Sequence, residues 1–174
     1  MEYTFTLKYQ LADDDRHPTA LVERLGDAGC NDALVGVGQP GRLALEFTRE
    51  ADSAEAAVRS ALADVRSAVP GARLIEVAPD LVGLTDVADI VGVSRQNMRK
   101  LMQTHPGSFP VPVHEGNSSI WHLADVLAWL QAKGGYSLDQ GVLEVARVAL
   151  RVNLAKERRR LSRPARKGLE ARVS

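Results

Sequence analysis

Residues 84–103, LTDVADIVGVSRQNMRKLMQ, organise the reading of the rest of the chain. Thr85 has the chemistry of a helix N-cap, and Asp86 puts a negative charge in the first turn, where the helix dipole favours it. Val87, Ala88, Ile90 and Val91 make one apolar side. Gly92 breaks this short helix, Val93 plugs the turn, and Ser94 caps a second helix running from Arg95 to about Gln103. The pattern is helix, glycine-containing turn, helix. In the second helix Met98, Leu101 and Met102 recur at helical spacing and are expected to face a core. The other side offers Arg95, Gln96, Asn97, Arg99, Lys100 and Gln103. A plain solvated face accounts for such residues. Major-groove reading also uses these types, because Arg pairs with guanine and Gln or Asn with adenine.

The flanking residues add context. His105-Pro106-Gly107 stops the helix, and Phe109 to His114 alternates as an edge strand whose prolines deter further pairing. Glu115-Gly116-Asn117-Ser118 has turn chemistry, and Ser119-Ile120-Trp121 returns as a second strand. His122 opens a helix from Leu123 to about Gln131 that can pack Val126, Leu127, Trp129 and Leu130. Trp121 and Trp129 read as core pins rather than base-stacking platforms. His105, His114 and His122 have neither a nearby cysteine nor zinc-site spacing, so no metal and no cofactor are expected.

Together, LVGLTDVADIVGVSRQNMRKLMQ and FPVPVHEGNSSIWHLADVLAWL resemble the AlpA-like and excisionase-like winged helix-turn-helix domains, relatives of the DNA-binding part of MerR-type regulators. The marks are the Thr85 start with DVADIVGVS, the FP-x-P entry to the wing, Trp121 ending it, and the DVLAWL helix. The resemblance spans residues 81–132. It implies that the helix after the turn enters the major groove while the wing touches adjacent backbone or minor groove. By position, Ser94, Arg95, Gln96, Asn97, Arg99 and Lys100 match the recognition helix, and His114, Asn117, Ser118 and Ser119 match the wing. Family wings often carry Arg or Lys; this one has Glu115 and no strong cation, so hydroxyls and backbone amides are what it offers to phosphate. The implied function is that of a bacterial transcriptional regulator binding double-stranded DNA.

Residues 1–80 form a separate pattern. Tyr3, Phe5, Leu7 and Tyr9 alternate with polar residues, as in a half-buried strand rather than a leader peptide. A helix follows from Pro18 to about Ala28, with Leu21, Val22 and Leu25 on one face. Ala33–Val37 and Leu43–Thr48 read as a hairpin. Ser53 caps an Ala-rich helix to about Ala68, and Arg73–Val77 is a last strand. The βαββαβ order predicts a ferredoxin-like sandwich, making the whole chain α+β. Gly36-Val37-Gly38-Gln39-Pro40-Gly41 matches G-x-G-x-x-G, but a strand pattern follows it where a dinucleotide site needs a helix; a hairpin turn is the better reading. Asp13–Asp15 is a solvated loop before it is a cation site. Cys30, the only cysteine, reads as a packing residue in a reducing, cytoplasmic setting.

From residue 134 the chain reads as a hinge at Gly134-Gly135 and a long helix from Leu138 to Leu161. Val142, Val145, Ala149 and Val152 form one stripe, with Leu143, Ala146, Leu150 and Leu154 beside it. Such a band must be buried, and a homodimer through helix 138–161 is expected over packing on the front domain, because operators are usually read by two-fold dimers. Residues 156–167 carry seven cations and one anion, and Arg158 and Arg159 are candidates for phosphate contacts. The expected domains are residues 1–80, 81–133 and 134–174.

A net charge of zero hides sorting: residues 1–80 carry a net −6, residues 81–138 balance, and residues 139–174 carry +6. The acidic front would be repelled by DNA, so a protein partner for residues 1–80, as in an antitoxin-like adaptor, is the alternative function. A small ligand near Gly36–Gly41 or on the open sheet face is a weaker possibility. No nucleophile–base pair, metal set or phosphate loop points to an enzyme, and no apolar run is long enough to span a bilayer.

Overall fold

Alternation builds the first strand: in β1 (Glu2–Gln10), Tyr3, Phe5, Leu7 and Tyr9 are buried while Glu2, Thr4, Lys8 and Gln10 are exposed. The computed structural model describes residues 1–15 and 17–163. The front unit continues with α1 (Pro18–Asp27), β2 (Ala33–Gly36), β3 (Arg42–Glu50), α2 (Ala54–Ala68) and β4 (Arg73–Ala78). The strands form one antiparallel sheet in the order β2-β3-β1-β4. The G-x-G-x-x-G string sits in the β2–β3 hairpin, with a strand behind it. Phe5 is paired with Phe47 in register, and their rings stack at 5.3 Å. Each such fully buried side chain contributes about 2 kcal/mol by leaving water. Pro18 opens α1, and Ser53 Oγ accepts the Ala56 N–H to cap α2, both as predicted. Leu21 and Leu25 of α1 are buried, but Val22, placed with them by spacing, is about half exposed.

The middle unit is made of shorter pieces: β5 (Leu81–Val82), α3 (Leu84–Val91), α4 (Arg95–Thr104), β6 (Trp121–His122) and α5 (Leu123–Lys133). The two-residue β5 and β6 pair antiparallel, Val82 opposite Trp121. β5 was not expected, because two residues are too few to show an alternation. Conversely, residues 109–114 form no strand. Pro110 and Pro112 lack the N–H groups a ladder needs, and a single bridge, His114 to Ile120, closes the turn. Trp121, Leu123, Leu127 and Leu130 pack with Met98, Val87 and Ala88 in a second core.

The last helix, α6 (Gln140–Ser162), contributes to the cores of both units. Val145, Val148 and Ala149 belong to the front core, whereas Leu143 and Ala146 belong to the middle core. α6 lies on the helical face of the sheet beside α2, over β1 and β4, and also touches α5. The apolar band assigned to a second copy is thus satisfied inside the chain; of its expected members Leu154 is left exposed, as is Leu161 at the helix end. A buried carboxylate fixes the junction. Asp80 is 1% exposed. Its Oδ1 accepts from His122 Nδ1 at 2.7 Å and its Oδ2 from Asn153 Nδ2 at 2.8 Å. Asn153 also makes two 2.8 Å bonds with the Val77 backbone. Among the described residues no helix is long and apolar enough to cross a membrane. Arg166 and Lys167, counted in the basic run, lie outside the described residues.

Candidate functional site

Glycine decides the turn between α3 and α4. Gly92 takes φ +80°, a left-handed conformation that side-chain-bearing residues resist, and its N–H bonds Ala88 O at 2.9 Å. The Val93 N–H returns to the same carbonyl at 3.0 Å. The chain then reverses, and Ser94 Oγ accepts the Asn97 N–H at 3.0 Å, capping α4 as expected. The start of α3 differs from expectation. Its N-cap is Gly83, whose N–H donates to Asp86 Oδ2 at 3.0 Å, and Thr85 is an exposed first-turn residue. A side chain already inside the first turn cannot cap it, and Asp86 supplies the carboxylate instead.

On α4, Met98 is fully buried and Leu101 and Met102 are half-buried behind it. At 3.6 residues per turn, Gln96, Lys100 and Gln103 lie opposite Met98, Asn97 and Arg99 flank it at about 100° on either side, and Arg95 sits about 60° from it, next to Met102. All six are exposed. Among the described residues Arg95, Arg99 and Lys100 have no ion-pair partner, and α4 contains no acid. The helix therefore presents three cations and three amides to solvent from a rigid backing.

The wing positions share that backing. Trp121 Nε1 donates to Pro110 O at 3.0 Å, and Phe109 meets Trp121 and Trp129 edge-on at 6.0 and 5.1 Å. This aromatic clasp holds residues 109–121 where a ladder does not. At the tip His114, Asn117 and Ser118 are exposed and Ser119 is half-buried. A β-carbon on Gly116 would lie 2.7 Å from His114 Nε2, so the turn closes directly against the imidazole.

Arg158 and Arg159 are exposed but belong to another part of the molecule. α6 passes the Asp80 junction at Asn153, and Lys156 then donates to Ile75 O in β4. Its basic end thus runs along β4 toward Arg73, away from the end of that strand that leads into α3 and α4. The structure gathers the α4 and wing residues on one core and leaves Arg158 and Arg159 on the front unit. Beside Gly36, Gly38, Gln39 and Arg42, where a small ligand was considered, there is an open concavity of about 360 Å³.

Sequence reasoning missed the residues that hold the two units together. Asp80 looks like an ordinary linker acid, and Asn153 like a polar interruption in an apolar helix; nothing local marks them as partners. Arg49 was also missed. It is 8% exposed on the core side of β3, bonded twice to Asp32, once each to Asp64 and Ser60, and once to Gly29 O. Its guanidinium lies 5.0 Å from the Phe47 ring centre. The Arg49 hydrogen bonds hold Asp32 below the usual carboxylate range, and burial raises the adjacent Cys30 thiol to about 11. Comparison with protein-family models, with curated proteins and with solved structures finds no match to this chain.

Proposed function

We propose that this protein is a sequence-specific DNA-binding regulator that reads the major groove with α4. The carrying observation is the exposed Arg95, Gln96, Asn97, Arg99, Lys100 and Gln103 face on a helix anchored through buried Met98. Arginine and amide side chains supply the donors and acceptors that base edges match, and lysine supplies phosphate attraction. The α3–turn–α4 unit, the turn at residues 115–119 and the β5–β6 pair support a winged helix-turn-helix, with Thr85 and the wing hydroxyls available to phosphates. The antiparallel β2-β3-β1-β4 sheet with its helices on one face supports a ferredoxin-like front unit. If two copies read a symmetric site, Leu154 and Leu161 are the exposed apolar residues that α6 retains for contact.

The test is binding of the full chain to duplex DNA from upstream of its own gene. Each base-reading contact is worth about 1–3 kcal/mol, so Arg95→Ala with Arg99→Ala should weaken specific binding at least about tenfold. Unchanged affinity in that double variant at physiological salt rejects the assignment of α4.

A second reading rests on the front unit. Leu34 on edge strand β2 is 74% exposed, within a region of net −6 charge, and an edge strand offers unpaired backbone groups to a protein partner. Co-purification of the full chain with a product of an adjacent gene, lost in Leu34→Glu, would establish it. Recovery of the same product by the Leu34→Glu variant would reject this surface.

A further inference from the structure

The C-terminal half of α6 and the end of α2 enclose, with β1 and β4, a concavity of about 520 Å³. Its charge opposes that of the unit it sits on. Arg66 comes from α2, Arg73 from β4, and Lys156, Arg159, Arg160 and Arg163 from α6, against one carboxylate, Glu157. Glu157 is already engaged by Arg160 at 2.7 Å and Lys156 at 3.2 Å. Among the described residues Arg66, Arg73, Arg159 and Arg163 have no ion-pair partner. Gathering four uncompensated cations around one hollow is unfavourable unless an anion joins them.

Two features give the hollow a built floor. β4 bulges opposite Lys8 and Tyr9, leaving Ile75 outside the ladder; its carbonyl holds Lys156 in place. Tyr9 is 5% exposed and lines the hollow; its hydroxyl makes no hydrogen bond among the described residues, and since no buried side-chain polar atom there is left without a partner, that hydroxyl keeps contact with solvent. Burial holds the Tyr9 hydroxyl above its usual range, with Cys30 acting in the same direction and Arg66 against it. A hydroxyl on a residue that lines a cationic hollow can donate to a phosphoryl oxygen, with guanidinium groups around the remaining charge.

We infer that this hollow binds a small anion carrying two or more phosphoryl charges. Its volume lies in the range of small-molecule sites. A small anion suits it better than a DNA backbone, because the surrounding front unit carries net negative charge that repels a long polyanion. The inference is independent of the role given to α4, since no residue is shared.

Calorimetry of the full chain with inorganic pyrophosphate, at about 150 mM salt where exposed charges are screened, tests it. Saturable one-site binding is expected. Arg66→Ala with Arg73→Ala should weaken it about tenfold or more, because charge-assisted bonds are the strong ones. Tyr9→Phe should weaken it about threefold, the small loss of one neutral hydroxyl donor. The arginines are exposed, so a thermal melt serves only to check that the fold is kept. No binding, binding equal in all variants, or equal binding of sulfate would overturn the inference. So would displacement of pyrophosphate by a short duplex with both ligands weakened alike by the variants, which would make the hollow a nucleic-acid surface.

Discussion

The front and middle units stabilise themselves in opposite ways. The front unit has two nine-residue strands, a stacked Phe5–Phe47 pair and a buried arginine whose donors are all engaged. The middle unit has two-residue strands, one isolated bridge and a cluster of edge-on aromatics. It completes its core only by borrowing Leu143 and Ala146 from α6. A small core leaves little apolar area per residue, so the helix that carries the exposed polar face depends on a strut seated in its larger neighbour. The position of α4 is therefore a property of the whole chain.

Breaking this contrast should give graded effects. The largest is expected in the front unit. Arg49→Met removes the cation between Asp32 and Asp64 and should cost about 4 kcal/mol in urea unfolding, as for other broken buried ion pairs. The parent should also show the pH signature of a lowered carboxyl. The Asp32 contribution is complete above the ordinary carboxylate range and is lost as pH falls through its depressed folded value, and Arg49→Met should lack it. Next, Leu143→Ala should cost about 3 kcal/mol by opening a cavity in the middle core. Hydrogen exchange should then speed in α3, α4 and α5 while β1 and β3 amides keep their protection. Equal loss in both units would show that they unfold as one.

Smaller changes sharpen the comparison. Asp80→Asn keeps the shape but places an amide where His122 and Asn153 need acceptors; about 2 kcal/mol should be lost, visible as a lower melting temperature. Gly92→Ala meets no neighbour within 4 Å, so its cost should be purely conformational, about 1 kcal/mol. Because Gly92 sets the angle between α3 and α4, the substitution should also weaken the proposed DNA binding more than its stability loss suggests. Last, Cys30 is buried with its thiol raised to about 11, so alkylation at pH 8 should be slow in the folded chain and fast in urea. Rapid labelling without denaturant would contradict the closed front core.

Local chemistry was readable wherever a few neighbouring residues decide the outcome. The alternation of Tyr3 to Tyr9, Pro18 at the start of α1, Ser53 and Ser94 as caps and Gly92 in the turn all act within one strand or one helical turn. Errors arose where a competing neighbour intervened. Asp86 displaced Thr85 from the capping role, the prolines at 110 and 112 emptied the expected strand, and Val22 sits beside its stripe rather than in it. The exposed half of α4 followed from the buried half, since Met98, Leu101 and Met102 fix the rotation of the helix.

The amino-acid order alone determined the helices, the longer strands of the front unit and most of the apolar faces, because propensity, capping and periodicity are short-range; the two-residue β5 and the missing strand at 109–114 lay beyond it. It also stated that α6 must bury a wide band. Only the tertiary structure decided what covers that band, splitting it between two cores of the same chain, since one apolar surface satisfies another whatever its source. The same holds for Asp80, Asn153 and Arg49, and for the cationic hollow beside Tyr9. Charges and polar groups far apart in sequence acquire meaning only when packing removes water and brings their partners within hydrogen-bond reach.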